Sequence, residues 1–204
     1  FSMNSAPFEE SRSGSFVGVV SLQSTTVSDF FFGVTCGVDS MLNCDKSSFV
    51  NIRGRAITLL QPKFAKITSS VIQKCGLEGI DIKLLEREPH DLISSELVKR
   101  KILIQANRLI STQRSPIRVR SVPASSLEIL EESGPRLLKR LQEHCLPLTL
   151  QILNNKIYNA NHDAIYLESL RLHFIEITKN EILKNQGSAI KLFEVRGENN
   201  DHNQ

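Results

Sequence analysis

The sequence predicts an all-β chain, a right-handed parallel β-helix solenoid of about six coils, with a helical insertion at one corner. Two observations predict it. A unit of about 23 to 25 residues recurs along the chain, and within each unit apolar residues alternate at period two. A third observation adds the insertion: two of the intervals between units are longer than the rest.

The repeat is plainest near the carboxyl end. Ile152, Asn155 and Ile157 are followed by Ala164, Ile165 and Leu167. Offset by 25 residues come Ile177, Asn180 and Ile182, then Ala189, Ile190 and Leu192. The template I-x-x-N-x-I, then a small residue 12 places after the first Ile, then I-x-I, also fits three earlier stretches. Cys44, Ser47 and Phe49 lead to Ala56, Ile57 and Leu59. Ile67, Ser70 and Ile72 lead to Gly79, Ile80 and Ile82. Ile104, Asn107 and Leu109 lead to Pro116, Ile117 and Val119. A sixth copy ends at Gly33, Val34 and Cys36, with Leu22 and Val27 one place out of register.

Alternation at period two places the apolar residues on one face of a strand. Segments of three to six residues are too short to stand alone, and the turns between them carry Asn, Asp, Gly and Ser. Such a unit buries its apolar face only by stacking on its neighbours. Four inner columns follow: Cys44 to Ile177, Phe49 to Ile182, Ile57 to Ile190 and Leu59 to Leu192. Ser47, Ser70, Asn107, Asn155 and Asn180 form a polar column at the bend between strands, where they can bond backbone groups that the turn leaves free. Leucine-rich repeats need L-x-x-L-x-L-x-x-N and helical repeats need apolar residues three and four apart; neither pattern recurs.

On these units the chain resembles the parallel β-helix repeat of the pectate-lyase-like superfamily. It is also similar to the repeats of the eukaryotic F-box β-helix ubiquitin-ligase subunits and of the Shc SH2-binding protein family. Residues 154–159 and 178–185 carry most of the likeness, which covers roughly residues 20 to 195. The resemblance is specific for the fold and poor for the individual family; no F-box lies within the chain. It implies either carbohydrate-acting chemistry or a cytoplasmic recognition scaffold of the ubiquitin-ligase-adaptor kind.

The solenoid is expected over residues 16–195, between polar flanks at 1–15 and 196–204. Insertions interrupt it at about 85–99 and 121–146, both after an I-x-I segment and therefore at one corner. The second reads as helical. Ser125 with Glu128 fits a capping box, Pro135 suits a first helical turn, and Leu137, Leu141 and Cys145 share one face. It is expected either to cover the solenoid flank or to project as a recognition arm. The start at Phe1 and the uncapped last coil lead us to expect further coils or a capping domain in the full protein.

Composition narrows the function. Net charge is +3, and the basic clusters at 99–101, 114–120 and 136–140 read as solvated faces. Nucleic acid is disfavoured, because its binders show a dense basic stripe. No apolar run reaches 18 residues, which disfavours a membrane span. Cys36, Cys44, Cys75 and Cys145 form no C-x-x-C pair and have no histidine at metal-ligand spacing, so no metal or other cofactor is expected and a reducing, cytoplasmic setting is.

Polysaccharide chemistry on such a fold needs clustered acids on outward strand positions. The outward middle residues of the I-x-I segments are Thr35, Thr58, Asp81, Arg118, Tyr166 and Lys191, with one acid among them. Glu78 and Asp163 lie in preceding turns two coils apart, and neither is expected to have a second acid beside it. His162 and Asp163 are expected to point to opposite faces. No catalytic residue is assigned. The expected role is a protein-interaction scaffold, with Arg118, Tyr166 and Lys191 on the outer strip and Arg136, Lys139 and Arg140 on the insertion as the candidate binding residues. Three alternatives remain open: a structural component of the cytoskeleton packed between other chains, a carbohydrate-acting enzyme, and carbohydrate as a bound partner.

Overall fold

The computed structural model describes residues 18–85, 100–122 and 148–197. Three strands make one coil. The first coil holds β1 (Val19–Gln23), β2 (Thr26–Ser28) and β3 (Val34–Cys36), and the second β4 (Met41–Asp45), β5 (Ser48–Ile52) and β6 (Ile57–Leu60). The third holds β7 (Phe64–Thr68), β8 (Val71–Cys75) and β9 (Ile80–Leu85). The fourth holds β10 (Arg100–Gln105), β11 (Arg108–Thr112) and β12 (Ile117–Val122). The fifth holds β13 (Leu148–Leu153), β14 (Lys156–Tyr158) and β15 (Ile165–Glu168). The sixth holds β16 (Arg171–Thr178), β17 (Glu181–Leu183) and β18 (Ile190–Phe193), and β19 (Arg196–Gly197) begins a seventh.

Every third strand pairs in parallel, giving a seven-stranded first sheet from β1 to β19, a six-stranded second sheet from β2 to β17 and a six-stranded third sheet from β3 to β18. This is a parallel β-helix. Among the described residues it is all β, and no helix is long and apolar enough to cross a membrane. The template I-x-x-N-x-I straddles a bend: Ile152 lies near the end of β13 and Ile157 sits in β14.

The four columns stack in the expected register. Cys44 pairs with Ile67, Ile67 with Ile104, Ile104 with Ile152 and Ile152 with Ile177. The first coil is in register as well, Leu22 opposite Cys44 and Val27 opposite Phe49. Its missing residue is absorbed in the turn after β2. A further inner column lies at and just after the end of the second sheet, where Ile52, Cys75, Thr112 and Ala160 are all buried. Ile190 and Leu192 occupy column positions yet stand 44% and 57% exposed, since among the described residues no complete coil lies on the sixth.

Each corner among the described residues is turned by one left-handed residue. Lys46, Ser69, Ala106, Asn154 and Lys179 have φ between 49° and 57° at the first corner, and Asn51, Lys74, Ser111, Asn159 and Lys184 between 54° and 57° at the second. Asp39, Gln61, Ser169 and Glu194 do the same at the third. A single residue in this region redirects the chain without a long loop, and Asn, Asp and Ser tolerate it better than branched residues. The asparagine of the template therefore plays a different part, because it is the residue after the left-handed one.

Arg196 and Gly197, at the start of the expected polar flank, lie opposite Arg171 and Leu172 as β19. The chain leaves the coils for both insertions at the corner between the third and first sheets, after β9 and after β12. The insertion helix at 121–146, with Arg136, Lys139 and Arg140, and the charged insertion at 85–99 fall almost wholly outside the described residues, as does the flank at 1–15.

Ile165 is fully buried while Tyr166, its neighbour, is half-buried and outward. Ile165→Ala should therefore cost about 2–5 kcal/mol through the cavity it leaves, and Tyr166→Ser much less. Chemical denaturation of the two variants measures this; equal losses would contradict the alternating strand.

Candidate functional site on the outer face of the third sheet

The outward ladder of the third sheet runs Thr35, Thr58, Asp81, Arg118, Tyr166, Lys191, each paired in register with the next. Parallel pairing sets adjacent side chains about 4.8 Å apart, so unlike groups come into contact along it. Tyr166 is held between two cations. The Arg118 guanidinium lies 5.3 Å from the ring centroid and the Lys191 ammonium 5.2 Å, both within the range of cation–π attraction. Lys191 is exposed; Arg118 and Tyr166 are half-buried.

Below the strip lies a feature that the repeat pattern does not reveal. Asp81 and Glu78 are fully buried, not outward in solvent. Arg55 Nε reaches both, at 2.8 Å to Glu78 and 3.1 Å to Asp81, so the two acids do form a pair. Arg118 bridges Glu78 at 3.4 Å and Glu168 at 2.9 Å, Arg114 approaches Glu78 at 3.7 Å, and Arg120 approaches Asp81 at 3.8 Å. The basic run at 114–120 is thus an ion-pair network over buried acids rather than a solvated face. Arg100 also departs from that expectation. It is buried and donates to the carbonyls of Gln61 at 2.8 Å and Pro62 at 3.1 Å, tying down the third corner.

Their environments push the two carboxyls in opposite directions. Burial raises Glu78, but its own backbone amide and the Arg55 guanidinium outweigh that and hold it below the ordinary glutamate value. Burial dominates at Asp81 and raises it, with the Glu78 charge adding and Arg120 and Arg55 only partly offsetting. Neither Asp81 oxygen accepts a hydrogen bond from a described residue. Opposite shifts of this kind mark acid–base pairs in enzymes. Here the side chains are 1% and 0% exposed, beneath the arginines.

A third acid lies further along. Asp163 accepts from the Ser188 amide at 2.8 Å and lies 3.7 Å from Lys191. Burial raises its carboxyl, yet the Ser188 amide and Lys191 hold it below the usual aspartate range. His162 does not point away from it: Nδ1 lies 3.2 Å from Asp163 Oδ2, because both residues sit in a turn where strand alternation does not apply. Among the described residues no three His, Cys, Asp or Glu side chains gather as a metal site. Cys36, Cys44 and Cys75 are buried free thiols, and burial pushes Cys75 up to about 12.

Against protein-family models, curated proteins and solved structures, the chain matches none.

The opposed shifts give opposed pH signatures. Glu78 binds its proton less readily when folded, so its contribution is present above the unfolded glutamate value and is lost as pH falls through its lower folded value. Asp81 binds its proton more readily when folded, so its contribution is present at low pH and is lost as pH rises through its raised folded value. Glu78→Gln should lower the melting temperature at pH 7, with a deficit that shrinks in acid. Asp81→Asn should leave it equal or higher at pH 7, with an advantage that shrinks in acid. Melting curves across pH 3 to 8 read both signs, and a large neutral-pH loss in Asp81→Asn would overturn the assignment.

Proposed function

We propose that this chain is a non-enzymatic protein-interaction scaffold working within a larger cytoplasmic assembly. One observation carries the reading. The outer face of the third sheet presents Arg118, Tyr166 and Lys191 as a strip already ordered by cation–π contacts, while the acids beneath it are engaged by arginines. Side chains ordered in advance lose less entropy on binding, and aromatic and arginine groups supply most interface energy. The inaccessibility of Glu78 and Asp81 favours this reading over acid–base chemistry on carbohydrate. Buried free thiols fit a reducing compartment.

The test is affinity recovery with quantitative mass spectrometry. Lys191→Gln removes an exposed charge and leaves Asp163 bonded to the Ser188 amide. It should fold with a nearly unchanged melting curve and recover far less of whatever the native chain recovers. Unchanged recovery would remove the strip from the interface. Release of unsaturated products from polygalacturonate, or a rise of several degrees in melting temperature with calcium, would move the assignment to a carbohydrate-acting protein.

A further inference from the structure

The corner between the second and third sheets carries a second surface, away from the strip. Its backbone is fixed coil to coil. The Arg53 amide donates to the Phe30 carbonyl at 3.0 Å, the Gly76 amide to Ile52 at 2.9 Å and the Gln113 amide to Cys75 at 3.0 Å. Between these turns lies an open groove of about 360 Å³, with Arg53 and Lys74 on its rim and Ser111 and Gln113 beyond. A side chain at Gly76 would run into the Arg53 carbonyl, so at that point the floor stays bare backbone.

The rim cations differ from those of the third sheet. Arg55 and Arg118 are absorbed by Glu78 and Glu168. Arg53 and Lys74 are exposed and make no ion pair with any described residue. One coil from Arg53, Phe31 and Phe32 stand 61% and 50% exposed, edge to face at 4.7 Å. The Gly54 amide holds this turn by donating to the Phe31 carbonyl at 2.6 Å. Apolar rings, two cations without a described counter-charge, and hydroxyl and amide groups thus follow one another on four successive coils.

We propose that this corner docks an extended acidic peptide carrying an apolar residue at one end. The proposal rests on the scaffold reading and gives it a partner class. Alternate side chains of an extended peptide lie about 6.6 Å apart, and successive coils about 4.8 Å. Lys74 falls opposite Asn51, one coil on and two residues from Arg53, so the two backbones stand about 8 Å apart. Two carboxylates at positions i and i+2 lie within reach of these long, adaptable side chains, and the apolar residue meets Phe31 and Phe32. The corner amides are already bonded, so side chains rather than strand addition supply recognition, and binding is salt-sensitive. Asp29, which accepts from Asn51 Nδ2 at 3.1 Å at the groove lining, interrupts the basic face, and an interrupted face suits a short acidic segment better than a polyanion.

Fluorescence anisotropy tests it with a labelled peptide bearing one leucine and two glutamates two places apart. Controls are the same peptide with lysines in place of the glutamates and a single-stranded oligonucleotide. The acidic peptide should bind the native chain, and the double variant Arg53→Glu, Lys74→Glu should weaken it about tenfold or more with an unchanged melting curve. Phe31→Ser should weaken the leucine peptide and leave an alanine version unaffected. No binding of the acidic peptide, equal binding of the lysine peptide, or displacement by the oligonucleotide at equal concentration would overturn the proposal. Weakening by Lys191→Gln but not by the double variant would also overturn it, while leaving the scaffold reading standing on the outer strip.

Discussion

The fold rests on one constraint: each coil must lie on the next in parallel and in register, and the backbone groups that strand pairing cannot reach at the bends must still be bonded. The asparagine ladder meets it. The Asn107 amide donates to Asn155 Oδ1 at 3.0 Å, and the Asn155 amide to Asn180 Oδ1 at 2.9 Å. Each side chain also reaches backwards, Asn107 Nδ2 to the Ile67 carbonyl and Asn155 Nδ2 to the Ile104 carbonyl, both at 2.9 Å. One buried amide therefore links three coils. In the earlier coils serine does a shorter version. The Ser47 amide donates to Ser70 Oγ at 3.1 Å, and Ser70 Oγ donates to the Thr68 carbonyl at 2.8 Å. A buried polar group without such partners costs about 1–3 kcal/mol, so the ladder also penalises any slip of register.

With the bends fixed, the rest has latitude. One left-handed residue per corner turns the chain, so coil length varies little except between the third and first sheets, where the chain leaves after β9 and β12. Inner positions carry mostly small and branched apolar residues, with Phe49 the one buried aromatic ring among the described residues. Outer positions are free to carry charge, and they divide into two kinds of surface. On the third sheet opposite charges neutralise each other across coils; at the second corner Arg53 and Lys74 stay unpaired among the described residues.

The inner columns were legible in the sequence because their signal is periodic and each residue's neighbour lies a fixed offset away. Ile152, Ile157, Ile165 and Leu167 announce their own environment. The strip was legible for the same reason, since Arg118, Tyr166 and Lys191 share one ladder position. The acid pair was not. Asp81 read as an outward strand residue and Glu78 as a turn acid with no second acid beside it, because the arginines that cover them come from other coils, Arg55 from the one before and Arg114, Arg118 and Arg120 from the one after. Alternation gives the direction of a side chain and says nothing of what folds over it. The His162–Asp163 contact was not legible, because strand alternation does not extend into the turn that holds both residues. The groove was missed because Arg53 and Lys74 sit at a bend, where the repeat carries no apolar marker.

Hydrogen exchange at the bend amides tests the central claim most directly. The Asn107 and Asn155 amides lie outside the strands, so on strand pairing alone they would exchange as fast as ordinary turn amides. The ladder predicts protection comparable to the flanking strand amides, and selective loss at Asn155 when Asn180 is replaced by alanine, since Asn180 supplies its acceptor. Fast exchange at both amides in the native chain, or no change at Asn155 in Asn180→Ala, would contradict the account.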